Sequence, residues 1–175
     1  MTKEDDAAQL AKTVHETFGR CDILVNNPGL YPFTPLMDIS LNEWRKVMSI
    51  NLDGPFLISK ALIPLMKANK RGRIINITSS ECWMVAANNA HYIASKMGVV
   101  GFTRALATEL AEFGITANAV GPVLTKTATI EHTAKQYTET LPQLQAIKRL
   151  KTPTDLVGAV SFLASQDAGF LPAKH

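Results

Sequence analysis

Apolar residues recur at helical spacing in several stretches of the chain. The pattern predicts helices over residues 4–18, 41–69 and 89–113, the first and last of which stop at glycines 19 and 114. The second is expected to break within residues 51–54, because Pro55 can begin a helical segment but fits poorly inside one. Thr152, Pro153 and Asp155 supply an N-cap, a first helical position and a first-turn acid, so they predict the start of a last helix.

Three short apolar runs predict strands. They are DILV at residues 22–25, RIINI at 73–77 and ITANAV at 115–120. The second run is continuously apolar at its centre, as is typical of a strand covered on both faces. Because the strands alternate with helices, we predict an α/β fold, with a parallel sheet of about three strands and helices on both faces. No repeat or linker divides residues 1–175, which we interpret as a single domain.

Composition narrows the function classes. The chain has 175 residues, of which 46% are hydrophobic and 19% charged, a typical globular balance. The basic cluster KANKRGR lies between a helix and a strand, so we interpret it as a solvated helix end and predict no nucleic-acid partner. No run approaches the ~18 residues of a membrane span. The acidic start MTKEDD does not resemble a signal peptide, and Cys21 and Cys82 have no metal-binding spacing. We therefore expect a cytoplasmic protein without a metal.

The segment HYIASK places Tyr92 and Lys96 four positions apart in a predicted helix. Residues with this spacing share a helix face, so the two groups are either a chemical pair or ordinary neighbours. Ser79 and Ser80 follow the second strand, at the carboxyl edge where α/β folds bind ligands. Asn51 lies at the predicted helix break.

The ordered set of NNPG at residues 26–29, Asn51, Ser79 and Tyr-x-x-x-Lys resembles the short-chain dehydrogenase/reductase family. Ser79 stands thirteen residues before Tyr92, and the resemblance extends to about Phe170. It implies a Rossmann-like, partial doubly wound sheet, NAD or NADP as cofactor, and a small alcohol or carbonyl substrate. It also implies a homo-oligomer that associates through helices near residues 55–69 and 96–113.

The resemblance also implies a role for each catalytic residue. Tyr92 would be the general acid/base, and the Lys96 ammonium would lower the Tyr92 pKa by ~2 to 3 units and hold the nicotinamide ribose. Ser79 would orient the substrate oxygen, and Asn51 would hold a water on the proton path. Alternatively, Asn51 could only satisfy the helix break, Ser80 could replace Ser79 after a one-residue slip, or Ser79 and Lys96 could form a hydrolase dyad. We interpret His91 as a partly exposed bystander or a pocket wall.

Further positions match the cofactor contacts of the family. Asn27, Pro28 and Gly29 match a turn on the adenosine side, with proline in place of the usual alanine. Pro122 and Thr127 would grip the nicotinamide carboxamide. Residues 123–150 would form the substrate lid.

One departure from the family leaves two functional hypotheses. The glycine-rich turn TGxxxGxG and the final strand of complete members have no counterpart, so we expect a truncated domain. The first hypothesis is an NAD(P)-dependent oxidoreductase. The second is a non-catalytic short form that cannot hold a dinucleotide alone and acts through association with another subunit. An incomplete gene product without a settled function is a third reading.

Overall fold

The computed structural model of the chain describes residues 2–84, 87–127, 139–140, 142–143 and 145–171. Three parallel strands, β1 (Ile23–Asn26), β2 (Gly72–Ile77) and β3 (Ile115–Val120), form one sheet in the order β1-β2-β3. The predicted parallel α/β sheet is therefore confirmed. β1 begins and ends one residue later than predicted, because Asn26 pairs in register with Asn76 of β2.

Five α-helices with bounds inside the described residues surround the sheet. They are α1 (Glu4–Phe18), α2 (Leu41–Met48), α3 (Gly54–Ala68), α4 (Ala90–Glu109) and α5 (Thr154–Ala164). α4 is shorter than the predicted 89–113, because Ala111–Phe113 form a separate 3-10 turn before Gly114. Gly114 has φ +67°, and a Cβ there would lie 2.6 Å from the Lys70 carbonyl oxygen, so only glycine fits this turn.

Helices cover both faces of the sheet at its central strand, β2. On one face Leu62 and Met66 of α3 pack with Leu106 of α4 against Ile74 of β2 in the main apolar core. The neighbouring Arg73 points to the opposite face, since side chains alternate along a strand. Its Nε donates to the Ser165 carbonyl at the end of α5, 3.1 Å away. The sheet is thus covered as expected for a Rossmann-like fold.

A π-helix, Ser49–Asp53, joins α2 to α3 where the sequence predicted a break. The chain stays on its helical path: the Gly54 N–H donates to the Ser49 carbonyl, five residues back. Pro55, which has no N–H to donate, lies in the first turn of α3, close after the π-helix. The α-helix is therefore interrupted where the sequence predicted, although the chain does not leave its helical path. The widened turn holds the Asn51 side chain fully buried.

A chain of buried polar side chains crosses the core. The Asn26 amide donates to Asn76 Oδ1 (2.8 Å) and Ser59 Oγ (3.1 Å), and the Asn76 amide donates to Thr103 Oγ1 (2.8 Å). These bonds join β1, β2, α3 and α4. Because buried polar groups are costly unless satisfied, they favour this one register of the strands.

The outer edge of β1 is apolar and open among the described residues. Its side chains Ile23 and Val25 are 48% and 43% exposed. A cavity of about 480 Å³ beside the strand is lined by Val25, Asn27 and Pro55, among others. In the described part of the chain, no helix is long and apolar enough to cross a membrane. Residues 128–138 of the predicted lid, with 141 and 144, lie outside the described residues.

Candidate active site

A cavity of about 200 Å³ opens at the carboxyl edge of the sheet. It is lined by four of the predicted site residues: Ser79, Tyr92, Pro122 and Thr127. Parallel strands end at the same edge, which is why residues that follow β2 and β3 meet at this point. The cavity is also lined by residues that the sequence did not single out: Tyr31, Phe33, Thr78, Glu81 and Asn89.

Tyr92 and Ser79 face each other across this cavity. Tyr92 belongs to the first turn of α4, and the Tyr31 ring packs edge-on against it with centroids 6.1 Å apart. Ser79 lies two residues after the end of β2 and is 7% exposed, and its hydroxyl is near enough to the Tyr92 hydroxyl to lower the pKa of Tyr92 in part. Both Ser79 and Ser80 line the cavity, but it is Ser79 that affects the tyrosine in this way.

Lys96 lies one turn further along α4 and is 2% exposed. Its Nζ donates to the Pro28 carbonyl (2.7 Å) and the Ile77 carbonyl (2.9 Å), so it bridges the ends of β1 and β2. Nζ lies 5.9 Å from the centre of the Tyr92 ring. Two of the three ammonium protons are used, and the third has no partner among the described residues.

Burial moves both ionisable groups away from their charged forms. It lowers the pKa of Lys96 to about 8 and raises the pKa of Tyr92 to about 12, against the hydrogen bond from Ser79. The expectation that Lys96 lowers the Tyr92 pKa is therefore wrong for this state of the protein. Since Lys96 loses its proton at a lower pH than Tyr92, it carries no charge when the phenol titrates.

Asn51 fastens the loop after β1. Its Nδ2 donates to the Leu30 carbonyl (2.8 Å) and Ser95 Oγ (3.0 Å), and its Oδ1 accepts from the Leu30 N–H (2.8 Å). These bonds join the π-helix to the loop and to α4. None of them goes to the backbone of the π-helix, so the side chain does more than satisfy a helix interruption. Its role in holding a water stays a prediction.

The turn after β1 lines the larger cavity beside that strand through Asn27 and Pro28. Pro28 presents its carbonyl to Lys96, so the missing N–H of proline leaves this contact intact. Asn27 and Gly29 are exposed. Among the residues predicted in this turn to contact the cofactor, Pro28 therefore contacts Lys96, and none of them lines the Tyr92 cavity.

A buried histidine supports the first turn of α4. The prediction that His91 is partly exposed is wrong, since the side chain is fully buried. Its Nε2 donates to a carboxylate oxygen of Glu43 in α2, 3.1 Å away. Its Nδ1 accepts from the Tyr92 backbone N–H at 3.0 Å, which assigns the neutral Nε2–H tautomer. Glu43 also accepts from Thr34 Oγ1 at 2.6 Å. No local pattern in the sequence indicates this pairing, since its partners come from three separate segments.

Comparisons with known proteins agree with this geometry. The family model described as enoyl-(acyl carrier protein) reductase matches residues 1–174. The chain belongs to the short-chain dehydrogenase/reductase family. It is 41% identical over 164 residues to a 3-oxoacyl-[acyl-carrier-protein] reductase of Synechocystis sp., covering 94% of this chain and 65% of the relative.

Two further relatives bear related names. A (2S)-[(R)-hydroxy(phenyl)methyl]succinyl-CoA dehydrogenase subunit of Thauera aromatica is 39% identical, over 94% of this chain and 66% of the relative. A 3-oxoacyl-[acyl-carrier-protein] reductase of Vibrio cholerae is 38% identical, over 99% of this chain and 71% of the relative. This short-chain dehydrogenase/reductase chain thus spans about two-thirds of the length of the curated relatives that it matches.

Proposed function

We propose that this chain is the catalytic part of an NAD(P)-dependent oxidoreductase that interconverts an alcohol and a carbonyl group, with Tyr92 as the general acid/base. One observation carries the proposal: the Ser79 and Tyr92 hydroxyls share one cavity, with the Lys96 ammonium buried directly behind. The names of the relatives, reductases and dehydrogenases, support the reaction class.

The proton chemistry follows from the groups present. With a pKa of about 12, Tyr92 keeps its proton at neutral pH and can donate it to a carbonyl oxygen. Ser79 donates a hydrogen bond to the same oxygen and holds it against the phenol. The protonated phenol therefore suits carbonyl reduction, and alcohol oxidation reverses the proton transfer. A bound nicotinamide would supply or accept the hydride at the substrate carbon.

The residues fit one end of such a cofactor. The unpaired third proton of Lys96 Nζ suits a ribose hydroxyl, and Pro122 and Thr127 line the adjoining cavity. The described residues contain no glycine-rich turn before a helix, so nothing among them provides a cradle for a pyrophosphate. We propose binding of NAD or NADP by its nicotinamide end, with the choice between them left open.

We further propose association of identical chains through α3 and α4. Phe56 of α3 and Met97 of α4 are 43% and 44% exposed, and association through these helices would remove both side chains from water. The open edge of β1 favours the second hypothesis, a short form that acts through another chain. Unpaired strand edges bind further strands readily, and Ile23 and Val25 add an exposed apolar face beside this edge.

A titration of the purified chain with NADH and with NADPH tests the proposal. Nucleotide fluorescence and thermal shift should report saturable binding that Lys96→Ala abolishes. Tyr92→Phe should keep the binding and lose turnover of a ketone panel, because it removes only the proton donor. A folded sample that binds neither nucleotide up to about millimolar concentration rejects the catalytic proposal. Sedimentation of the same sample measures self-association.

A further inference from the structure

Glu81 places a carboxyl group in the wall of the cavity that contains Ser79 and Tyr92. It lies in the short 3-10 turn Ser80–Cys82 directly after β2, where its N–H donates to Ser79 Oγ at 3.2 Å. Burial raises the pKa of Glu81. Its charge lies close enough to contribute to the raised pKa of Tyr92. The carboxyl group is therefore a near neighbour of the proposed proton donor.

Residues that line this cavity carry polar atoms without a hydrogen-bond partner in the described part of the chain. Oε2 of Glu81 accepts from Asn89 Nδ2 at 2.6 Å, while Oε1 has no partner among the described residues. Asn89 is 1% exposed, and its Oδ1 is also buried without a partner in the described part of the chain. The Thr78 hydroxyl of the same cavity is unpaired there as well. Buried polar groups are normally satisfied, so such a cluster suits a donor brought by a ligand.

The charge of the cavity points to the same class of ligand. Its described lining residues include Glu81 but no lysine, arginine or histidine. An anionic group beside the reacting carbon would therefore meet a like charge. The aromatic rings of Tyr31 and Phe33 also line the cavity, and aromatic faces accept both apolar groups and cations.

We propose that Glu81 and Asn89 form a specificity site for a hydrogen-bond donor, a hydroxyl or ammonium group, that the alcohol or carbonyl substrate carries next to its reacting carbon. The proposal rests on the proposed function, because that function identifies the cavity as the substrate site. Glu81 accepts the donor through its free oxygen, and Asn89 holds the carboxylate in place and adds a second acceptor. Neutral apolar ketones bind without this contact, and α-keto acids are disfavoured.

Four phenyl ketones that differ at one carbon test this site. They are α-hydroxyacetophenone, α-aminoacetophenone in its ammonium form, propiophenone and phenylglyoxylate. Their affinities for the full chain are measured by saturation-transfer NMR without nucleotide. The hydroxyl and ammonium ligands should bind about tenfold more tightly than propiophenone, and phenylglyoxylate most weakly. Glu81→Gln should reduce the preference for the ammonium ligand about tenfold, because it removes the charge and keeps the shape.

The control is Glu109→Gln, which removes the same charge from the exposed end of α4 and should leave the order of affinities unchanged. Equal affinities for the four ketones in the wild-type chain overturn the proposal, whether or not the variant folds. So does a wild-type preference that Glu81→Gln retains, or a lack of binding by every ketone. If the chain distinguishes the four ketones as expected but binds neither NADH nor NADPH, only the proposed function is rejected. If it turns over ketones but binds all four equally well, only the specificity site is rejected.

Discussion

Lys96 should make the stability of the chain rise with pH, and Lys96→Met should remove that rise. The folded pKa is about 8, against a reference value of 10.5. Between these values the unfolded chain binds more protons than the folded one, so the free energy of unfolding increases with pH. Below pH 8 the lysine is protonated in both states, and its contribution is a constant cost of burying the charge.

The size of the effect follows from the two pKa values. Their separation corresponds to a total of roughly 3 kcal/mol, since one pKa unit is 1.36 kcal/mol. Integration from pH 7 to about 9.5 gives a rise of about 2 kcal/mol. Lys96 is 2% exposed, so solvent screening removes little of it.

Urea denaturation of wild type and Lys96→Met at several pH values over this range measures the effect. The difference between the two curves reports Lys96 together with its electrostatic interaction with the Cys82 thiol, and groups that do not interact with Lys96 cancel. Lys12→Met, which removes an exposed lysine of α1, is the control and should follow the wild-type curve. The ¹³C resonance of the Lys96 ε-carbon should titrate with a midpoint near pH 8. Parallel curves for wild type and Lys96→Met, or a midpoint near the reference value, would refute the reasoning.

Three further changes probe the framework of the site. Asn51→Ala should cost about 2 to 4 kcal/mol more in urea denaturation than the exposed Asn69→Ala, because it leaves the N–H and the carbonyl of Leu30 without partners and removes the bond to Ser95; equal costs would contradict the role of Asn51 in fastening the loop. Glu43→Ala and His91→Leu should each destabilise, and a double-mutant cycle should find a coupling of about 1 kcal/mol; additive losses contradict a shared network. Gly114→Ala should cost about 1 to 3 kcal/mol in thermal unfolding, since its φ is +67°; an unchanged melting temperature argues against strain.

Local patterns predicted the elements of the fold, and long-range contacts decided their details. The apolar runs placed all three strands, because a buried strand must be apolar in its own sequence. The same reasoning ended β1 too early, since the polar Asn26 still pairs in register with Asn76 of β2. Gly54 and Pro55 suggested an interruption of the helix. The interruption is a π-helix, and its Asn51 side chain bonds to the loop after β1 and to α4, contacts that no local pattern indicates.

The candidate site likewise has features that the sequence predicted and features that depend on long-range contacts. The family resemblance implied that Ser79 and Tyr92 act together, and both line one cavity at the carboxyl edge of the sheet. The burial of His91 could not be predicted, since its partner Glu43 lies in α2 and no local pattern joins the two. The same holds for the pairing of Glu81 with Asn89 across a loop. Contacts between separate segments carry no periodic signal in a single sequence.

The state of Tyr92 shows how burial and charge compete at this site. At 5.9 Å and an effective dielectric constant of about 20, a charged Lys96 would stabilise the phenolate by roughly 3 kcal/mol, or about two pKa units. That attraction is lost because burial lowers the Lys96 pKa to about 8, well below the Tyr92 pKa of about 12. A hydrogen-bond acceptor at the free third proton of Nζ would favour the charged lysine. We therefore expect a ligand bound there to lower the pKa of Tyr92, so that binding and proton transfer are coupled through one ammonium group.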